Sequence, residues 1–414
     1  MLQRKRKGPL DGLRVLELSQ IMAGPVAGMM LADMGAEIIK VEKLPGGDDA
    51  RAYAEPRING VSAPFLMVNR GKKSIGLDLK KAEARQALLL LVAQADVVTE
   101  NFRAGTMEKL GLGYEVMREV NPALIYCAVS GFGRNGPLAN HGGFDLIAQG
   151  YAGLMSITGQ AGEPMRYGSS VADINAGILS ALGIVSAYVH RLKTGEGQQV
   201  ETSLLEAGLQ QTYWHAAILF ATGESAQGNG NAHVLIAPYQ TFKASDGWIN
   251  IAGANQTNWE RLAKVLGRPE WLSDARFASN AFRLENRVQL ESEINAILAT
   301  RSRAEWTAAL DAVGVPVGPV HSIGEAFSHP QTIARDMVVQ MDHNEAGAIL
   351  TVGSPLKFNG QSTVSALPAP MLGQHTIEIL QASGLDEQSI EALLTSGAAY
   401  QHGRKRPINS EPRS

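Results

Sequence analysis

One aspartate, Asp173, stands where a side chain could do chemistry. It lies in the segment 169–177, directly before a run of small and apolar residues over 174–188 that predicts a buried helix ending within 190–195. A carboxylate at the start of such a helix either accepts a backbone N–H as the N-cap or takes part in a reaction. Judged on this residue alone, the N-cap is the favoured interpretation.

A second carboxylate, Asp145, follows Gly142, Gly143 and Phe144 in a glycine-rich loop. It could help to hold Asp173 or could cap the helix that comes after it. The nine histidines are scattered, and none forms a pair at the spacing of a helical zinc motif. The sequence therefore predicts no metal site, and any chemistry rests on carboxylates, cations and backbone amides.

Cations gather near the ends of predicted strands. In an open α/β sheet, ligands bind at the carboxyl ends of the strands, and several cations converging there suit a ligand with several phosphates. Any one lysine taken alone is more simply a solvated surface residue. The positions are Lys43, the segment 70–73, Lys80, Arg103 and Lys109.

The segment 131–136 has the Gly-x-Gly-x-x-Gly spacing of a dinucleotide fingerprint and follows a predicted strand. No amphipathic helix begins after it, so the helix N-terminus that would hold a pyrophosphate is missing. The segment is interpreted as a loop, which disfavours a nicotinamide-dependent oxidoreductase.

Short apolar runs alternate with helical stretches in the first half of the chain, and this alternation is typical of a parallel α/β sheet. The pattern predicts a doubly wound α/β domain over about residues 10–200. Its predicted strands are 13–18, 35–42, 74–79, 96–100 and 124–130, and its predicted helices are 26–34, 81–95 and 174–188.

The character of the sequence changes after about residue 224. Two strand-like runs, 238–242 and 248–252, flank a turn signal at 245–247 and predict a hairpin. The chain is accordingly divided into four parts. These are a large domain over 1–224, a smaller α+β domain over 225–330, a C-terminal segment over 331–400 that returns to the large domain, and a disordered tail over 403–414.

Bulk properties exclude several classes of function. The chain has 414 residues, 45% hydrophobic content and a net charge of −3, so no general attraction to nucleic acid is expected. No secretory signal is recognised, and no stretch is judged long and apolar enough to span a membrane. The single cysteine, Cys127, suits a reducing compartment, and a cytoplasmic location is expected.

These segments together resemble the family III CoA-transferases, also called the CaiB/BaiF family, from about residue 9 to about residue 400. No single motif is decisive, but their order and completeness are specific. The matching segments are 12–18, 23–25, 35–42, 69–75, 100–103, 144–145, 172–173, 193–198, 237–239 and 314–316.

The resemblance implies a fold that composition does not show: a Rossmann-like large domain and a smaller α+β domain in each chain of an interlocked homodimer. It implies that Asp173 is the nucleophile and that Gly228, Asn229 and Gly230 form a mobile loop over the active site. Asp145, from its place in the glycine-rich loop, is expected to support Asp173. Coenzyme A is implied as a co-substrate, with no permanently bound cofactor. The implied CoA-binding residues are Met22, Ala23, Lys43, Leu77, Lys80, Asn101, Phe102, Arg103, Lys109 and Phe144.

The implied chemistry is coherent for an aspartate, whose reference pKa near 4 predicts an ionised carboxylate at neutral pH. The carboxylate would attack a thioester carbonyl to give a mixed anhydride and CoA thiolate, which returns to form an aspartyl-CoA thioester. An incoming acid then reverses these steps and leaves with the CoA. Water must be excluded, and backbone amides at the start of the 174–188 helix could stabilise the oxyanions.

Two departures narrow the expected activity. The acyl-CoA racemase branch of the family has a proton-transferring histidine where Phe144 stands, which weakens a 2-methylacyl-CoA epimerase reading. Formyl-transferring relatives have a glutamine where Met22 stands, which argues against a formyl or oxalyl substrate. The branch that uses succinyl-CoA with small dicarboxylates such as glutarate is the most similar, and Arg51, Arg57 and Arg166 are guessed from charge to hold the distal carboxylate. A non-catalytic acyl-CoA-binding protein remains an alternative.

Overall fold

We describe residues 8–405 of the chain in a computed structural model. The chain divides into two compact units. The larger unit contains the described residues up to Ala152, then Gly168–Thr212, then the described residues from Pro330 onward. The smaller unit contains Gly153–Tyr167 and Tyr213–His329.

The described residues form short strands and mostly short helices. The strands are β1 Arg14–Glu17, β2 Glu37–Lys43, β3 Arg57–Ile58, β4 Val61–Ser62, β5 Lys72–Leu77, β6 Val97–Glu100, β7 Ile125–Ser130, β8 Gln199–Ser203, β9 Tyr239–Ala244, β10 Gly247–Ala252, β11 Val317–Pro319, β12 Val338–His343, β13 Gly347–Val352, β14 Lys357–Phe358, β15 Gln361–Ser362 and β16 Ala399–Tyr400. The α-helices are α1 Ala23–Asp33, α2 Ala63–Val68, α3 Ala82–Val92, α4 Thr106–Lys109, α5 Tyr114–Val120, α6 Asp145–Tyr151, α7 Leu154–Ile157, α8 Val171–Thr194, α9 Leu204–Leu209, α10 Tyr213–Thr222, α11 Gln256–Val265, α12 Asn280–Glu285, α13 Arg287–Leu298, α14 Arg303–Asp311, α15 Ile323–Ser328, α16 Pro330–Ala334, α17 Thr376–Ala382 and α18 Glu387–Thr395.

The larger unit is built on a seven-stranded sheet in the order β16-β5-β2-β1-β6-β7-β8. Strands β5, β2, β1, β6, β7 and β8 pair in parallel, and only β16 at the edge is antiparallel. Counted along the chain, the parallel strands follow the 3-2-1-4-5-6 order of a Rossmann-like sheet. The prediction of a doubly wound α/β fold is confirmed, and the strand order reverses between β1 and β6.

The sheet is covered on both faces, which is why its strands are nearly continuous apolar runs. One apolar cluster packs α3, α5, α17 and α18 against the sheet, and a second packs α1 and α8. Helix α8 ends at Gly195, whose left-handed φ of 79° lets its N–H reach the carbonyl of Arg191.

The smaller unit has a three-stranded antiparallel sheet in the order β11-β10-β9. The predicted hairpin is confirmed, with Gly247 paired to Ala244 at its turn. Helices α11, α13 and α14 pack on this sheet around two stacked indoles, those of Trp259 and Trp271, whose ring centroids lie 5.7 Å apart.

The structure differs from the predictions in several boundaries. The units change over after Thr212 and after His329, where 224 and 330 were predicted, and the smaller unit also takes in Gly153–Tyr167. Strands β8 and β16 were not predicted. Most of the predicted disordered tail, from residue 406, lies outside the described residues.

Helix α8 corrects one expectation. It spans Val171–Thr194, with Ser170 as its N-cap and Gly195 as its C-cap. It therefore begins three residues before the predicted run 174–188 and ends within 190–195, where its end was predicted. In the described part of the chain, α8 is the one helix whose length and apolar composition would suffice to cross a membrane. The expectation that no segment meets this criterion was therefore wrong. The core helix of a soluble protein meets it as well, so the finding is weak evidence for a membrane.

Candidate active site

A cavity of about 260 Å³ opens at the carboxyl ends of β1, β6 and β7. This is the point where the strand order reverses and where α/β sheets bind their ligands. The loops that follow the three strands, the glycine-rich loop before α6 and the first turn of α8 together line it. The lining residues are Gln20, Ile21, Met22, Ala23, Asp49, Asn101, Phe102, Arg103, Ala104, Val129, Ser130, Gly131, Ala139, His141, Gly142, Gly143, Phe144, Asp173 and Leu204.

Asp173 reaches this cavity from the first turn of α8. The interpretation of Asp173 as the N-cap is wrong, because the cap position belongs to Ser170 and Asp173 is the third residue of the helix. Within residues 8–405, no side chain or backbone N–H donates a hydrogen bond to its carboxyl group. Burial, and then the negative charge of Asp145, raise the pKa of Asp173 to about 7.

Asp145 supports the turn that carries Asp173. Its Oδ1 accepts the backbone N–H of Ala172 at 2.9 Å, and its Oδ2 accepts the side-chain amide of Gln149 at 2.7 Å. The same amide donates to the carbonyl of Ser169 at 3.2 Å. Asp145 therefore satisfies a free N–H of the first turn of α8 and fixes the segment that leads into it. Of the two roles that the sequence left open, the structure supports the first.

Six of the predicted CoA-binding residues line the cavity: Met22, Ala23, Asn101, Phe102, Arg103 and Phe144. The guanidinium of Arg103 lies so close to Gly142 that a Cβ there would be 2.9 Å from its Nη2. A glycine at this position lets a permanent cation lie against the wall of the cavity, where it suits a phosphate-bearing ligand.

The other predicted CoA-binding residues are dispersed. Lys43 lines a second, small cavity of about 30 Å³ beside Phe102, and it pairs with Asp49 at 2.5 Å. Leu77 is fully buried in β5, while Lys80 and Lys109 are exposed and line neither cavity. Leu79 lines the small cavity instead of Leu77.

The predicted cluster of cations is wrong in part. The segment 70–73 contains the start of β5, so its backbone lies at the amino ends of the parallel strands, whereas the cavity lies at their carboxyl ends. Arg70 is buried and pairs with Asp33 at 2.6 Å. Lys72 is fully buried and pairs with Glu17 at 2.9 Å. These cations neutralise interior carboxylates, so they are not available to phosphates.

None of the three arginines guessed for the distal carboxylate lines the cavity. Arg51 makes two hydrogen bonds to Glu42, both at 2.7 Å, and lies 3.6 Å above the ring of Phe65. The guanidinium of Arg57 donates to three backbone carbonyls of its own loop region. Arg166 belongs to the smaller unit and is exposed. The guess stays a prediction, although the main partner of Arg51 is an internal carboxylate.

The predicted loop residues Gly228, Asn229 and Gly230 belong to the smaller unit. The N–H of Gly228 donates to the carbonyl of Ser156 at 2.9 Å, and the N–H of Gly230 donates to that of Gly159 at 2.7 Å. A Cβ on Gly228 would lie 2.6 Å from the carbonyl oxygen of Gly159, so this close approach requires glycine. The glycine-rich stretch is thus hydrogen-bonded to another turn of its own unit.

Sequence reasoning missed the buried charges next to the cavity. Glu100 ends β6, where burial raises its pKa to about 7 although the Phe102 N–H and Arg134 favour its ionised form. Lys40 stands in the middle of β2 and is fully buried. A lysine inside an apolar strand needs a buried partner, and that requirement was the available signal.

Ile21 was also missed. It lines the cavity and has a φ of 67°, in the left-handed region that a β-branched residue rarely adopts. Such a conformation costs on the order of 1–3 kcal/mol and is found where surrounding contacts enforce it. No local sequence signal marks it, because an isoleucine predicts extended or helical backbone.

Within residues 8–405, no three histidine, cysteine or carboxylate side chains are grouped so as to hold a metal ion. The site therefore consists of a cavity with four kinds of group around it. These are Asp173, which accepts no hydrogen bond from the described residues, the supporting carboxylate of Asp145, the guanidinium of Arg103, and backbone amides. This set matches acyl transfer by a carboxylate nucleophile.

Comparison with known proteins agrees with this description. The family model "CoA-transferase family III" matches residues 10–376. The "Succinate--glutarate CoA-transferase" of Agrobacterium fabrum is 38% identical over 89% of this chain and 94% of its own length. The "Succinyl-CoA:mesaconate CoA-transferase" of Haloarcula hispanica is 40% identical over 88% of this chain and 94% of its own length.

A solved structure supports the same assignment. The crystal structure of a CaiB/BaiF family protein from Brucella suis superposes with a TM-score of 0.81 at 38% sequence identity, covering 91% of this chain and all of that chain. The match extends over both units rather than over the sheet alone. The chain belongs to family III of the CoA-transferases and is an enzyme of that family.

Proposed function

We propose that this CoA-transferase moves CoA from succinyl-CoA to a small dicarboxylic acid, with Asp173 as the nucleophile. The observation that carries the proposal is the state of this side chain. It lines the cavity, accepts no hydrogen bond from residues 8–405, and so keeps its lone pairs for an incoming carbonyl carbon.

The reaction runs through three covalent intermediates, namely two mixed anhydrides with an aspartyl-CoA thioester between them. A carboxylate oxygen of Asp173 attacks the thioester carbon, the carbon–sulfur bond breaks, and a mixed anhydride and CoA thiolate result. The thiolate attacks the side-chain carbonyl carbon of Asp173, which releases the donor acid and leaves an aspartyl-CoA thioester. The acceptor carboxylate attacks the same carbon, expels the thiolate and forms a second anhydride. Attack of the thiolate on the acceptor's acyl carbon then releases the new thioester and restores Asp173.

The raised pKa of Asp173 changes the expectation from the sequence. A reference aspartate is almost fully ionised at neutral pH, whereas a pKa of about 7 leaves Asp173 about half protonated in the unliganded protein at that pH. The desolvation that raises the pKa also removes water from around the carboxylate, and a poorly hydrated carboxylate is the stronger nucleophile.

Backbone amides are proposed to stabilise the oxyanions. The first turns of α1 and α8 both border the cavity, and the N–H groups of a helix's first turn have no partner within the helix. Their partial positive charge favours a developing oxyanion. Arg103 is proposed to hold a phosphate of CoA, and the loop 228–230 is proposed to exclude water during turnover.

The substrate class rests on the relatives. Several of them are named for succinyl-CoA together with a second dicarboxylate: glutarate, mesaconate or D-citramalate. One is named for acetyl-CoA and oxalate. A dicarboxylate acceptor is common to these names, and an arginine is the side chain best suited to its distal carboxylate.

A homodimer in the cytoplasm is proposed for the assembled enzyme. The exposed side of α8 carries Ile178, Leu182, Val189 and Leu192, and Leu182 and Leu192 are 62% and 67% exposed. A stripe of this kind on a monomer favours burial against another chain. The single, buried Cys127 is compatible with a reducing compartment.

The proposal is tested by incubating the purified protein with succinyl-CoA and single acids, namely glutarate, mesaconate, itaconate, malate, oxalate and acetate. We expect a new acyl-CoA and an equal amount of released succinate with at least one dicarboxylate. With succinyl-CoA alone, the peptide containing Asp173 should gain the mass of one CoA less one water. The D173N variant should bind CoA but show neither product nor adduct.

Full activity of D173N would contradict the assignment of the nucleophile. Exchange of the α-hydrogen of a 2-methylacyl-CoA with solvent deuterium, without transfer to any acid, would favour an epimerase. Binding of CoA without either reaction would favour a non-catalytic protein. Transfer to oxalate alone would overturn the argument that was based on Met22.

A further inference from the structure

A buried ionic network lies beneath the turn that follows β1. Lys40 Nζ donates to Glu17 Oε1 and to the carbonyl of Ser19, both at 2.9 Å, and pairs with Asp48 Oδ2 at 2.8 Å. The side chains of Glu17, Lys40 and Asp48 are at most 1% exposed. Because a buried charge is tolerated only when it is paired, each member of this network fixes the position of the next.

The network also fixes the start of α1. Lys72 Nζ donates at 2.9 Å to Glu17 Oε1 and to the carbonyl of Pro25 in the first turn of the helix. A Cβ on Gly28 would lie 1.8 Å from Glu17 Oε2, so the helix reaches the network only because a glycine stands there. The turn between β1 and α1 is thus anchored at its helical end.

Asp48 connects the network to the cavity. Its Oδ1 accepts the N–H of Ile21 at 3.0 Å and that of Ala50 at 2.9 Å. On the other side of the turn, Asn101 exchanges two hydrogen bonds, both at 2.8 Å, with the backbone of Gln20. Ile21, at the wall of the cavity, is therefore held in its left-handed conformation by Asp48 at its own N–H and by Asn101 at the backbone of the preceding residue, Gln20.

We infer that Asp48, itself held by Lys40, is a positioning residue. It clamps the turn between β1 and α1, which contains Ile21, in the geometry that binds acyl-CoA. It does not line the cavity and acts through the backbone of Ile21. The clamp keeps a costly backbone conformation populated before the ligand arrives, so that binding need not order the turn. The inference rests on the proposed function only for the identity of the ligand.

The test uses the full-length protein and two measurements: the Kd for CoA by calorimetry, and hydrogen–deuterium exchange of the peptide 18–24. The variants are D48A, D48N, I21G and the double variant D48A/I21G. D33A is the matched control, because Asp33 is also a buried carboxylate paired with a cation, Arg70, but does not contact the turn. Should D48A fail to fold, D48S replaces it. The serine oxygen is one bond nearer to the backbone than the aspartate oxygen, so this variant also loses the contact with Ile21.

D48A should raise the Kd for CoA about tenfold, because it removes a hydrogen bond to a charged acceptor. It should also speed hydrogen–deuterium exchange in the peptide 18–24. D48N keeps an oxygen acceptor and should stay within about threefold of the wild type. In the I21G background, the same D48A change should alter the Kd by less than about threefold, because glycine adopts a positive φ without a clamp. D33A should lower thermal stability and leave the Kd unchanged.

The inference is overturned if D48A changes the Kd no more than D33A does, or if its effect is equally large with and without I21G. It is also overturned if exchange in the peptide 18–24 is the same in D48A and the wild type. A wild-type protein that binds no CoA would contradict the proposed function instead, and the exchange comparison would still decide the clamp.

Discussion

Two carboxyl groups near the cavity have different environments and therefore different roles. Asp145 is satisfied by the N–H of Ala172 and the amide of Gln149, whereas Asp173 has burial without a donor among the described residues. Hydrogen bonds favour the ionised form of a carboxyl group, and desolvation disfavours it. The charge of Asp145 thus adds to the burial that keeps a proton on Asp173 up to a pH of about 7.

This difference predicts the pH dependence of the reaction. Only the ionised form of Asp173 attacks a thioester, and its pKa is about 7 in the unliganded protein, so kcat/KM should rise through pH 7 and level off at higher pH. Replacing Asp145 by asparagine removes a nearby negative charge, lowers the pKa of Asp173 and should move the rise to lower pH. Steady-state rates with succinyl-CoA and the best acceptor, measured across this range, check both statements.

Glu100 also has a pKa of about 7, so its titration could imitate this profile. An E100Q variant should keep the rise at its wild-type position, and so should D33N, a control remote from the cavity. A profile that shifts with E100Q but not with D145N would assign the titration to Glu100 and contradict the prediction.

At this scale the sequence could name residues but not their surroundings. Asp173 was found from its position before an apolar helix and from the family resemblance. The partner of Arg51 is Glu42, on a different element, so charge alone suggested a substrate where the fold supplies an internal ion pair. The pKa of Asp173 depends on burial and on Asp145, 28 positions earlier in the chain, and neither can be read from the local sequence.

Among the elements, α1 and α8 set the geometry of the cavity together. Both border it with their first turns, and they pack closely where Gly177, one helical turn beyond Asp173, faces α1. A Cβ on Gly177 would lie 2.6 Å from the carbonyl oxygen of Ala23 and 2.9 Å from Val26. The position of Asp173 relative to the start of α1 therefore depends on a glycine at this crossing.

The crossing gives a prediction with a matched control on the same helix. G177A should lower stability by about 1–3 kcal/mol and reduce the transfer rate, because the new methyl group meets the backbone carbonyl of Ala23, which cannot move aside, and the side chain of Val26. G183A adds the same methyl group to α8, but its close contact is a single methyl group of Val200, at 2.7 Å. Since alanine favours a helix over glycine by about 1 kcal/mol, G183A should be neutral or slightly stabilising.

Thermal unfolding and transfer assays of the two variants check this prediction. Equal effects of G177A and G183A on transfer would mean that the crossing does not position Asp173.

Strands with a signal in their own local sequence were predicted, and strands that depend on distant residues were not. Strands β1, β2, β5, β6 and β7 are buried on both faces and were predicted from continuous apolar runs. Strand β8, at the edge of the sheet, alternates exposed and less exposed residues. Strand β16 has only two residues, and they pair with residues of β5 more than 300 positions earlier in the chain. Pairing over that distance leaves no periodicity in the sequence, so β16 was missed. Strand β8 was missed because only its last residue, Ser203, is buried, so it contains no apolar run.

For the whole molecule, exposed apolar side chains of the larger unit support the proposed homodimer. The exposed apolar stripe on α8 is accompanied, in the same unit, by Leu146, Ile147 and Tyr151 on α6. Apolar area of this kind contributes roughly 25 cal/mol per Å² when it is buried, so a partner chain would gain much of its stability here. The family resemblance implies that the two chains of the proposed homodimer are interlocked, and interlocked chains would separate differently from chains that are only docked.

Interlocked chains can separate only if at least one of them unfolds, whereas docked chains separate by dissociation alone. Mixing unlabelled with ¹⁵N-labelled protein should therefore yield no mixed dimers in native mass spectrometry below the unfolding temperature, even after dilution to nanomolar concentration. Mixed dimers should form once both proteins are unfolded and refolded together. As a control for docking, L182K should weaken the apolar contact and lower the unfolding temperature without giving subunit exchange under native conditions. Rapid subunit exchange of the wild type on dilution would contradict interlocking and indicate a dimer of docked chains. A measured mass of one chain at all concentrations would contradict the homodimer.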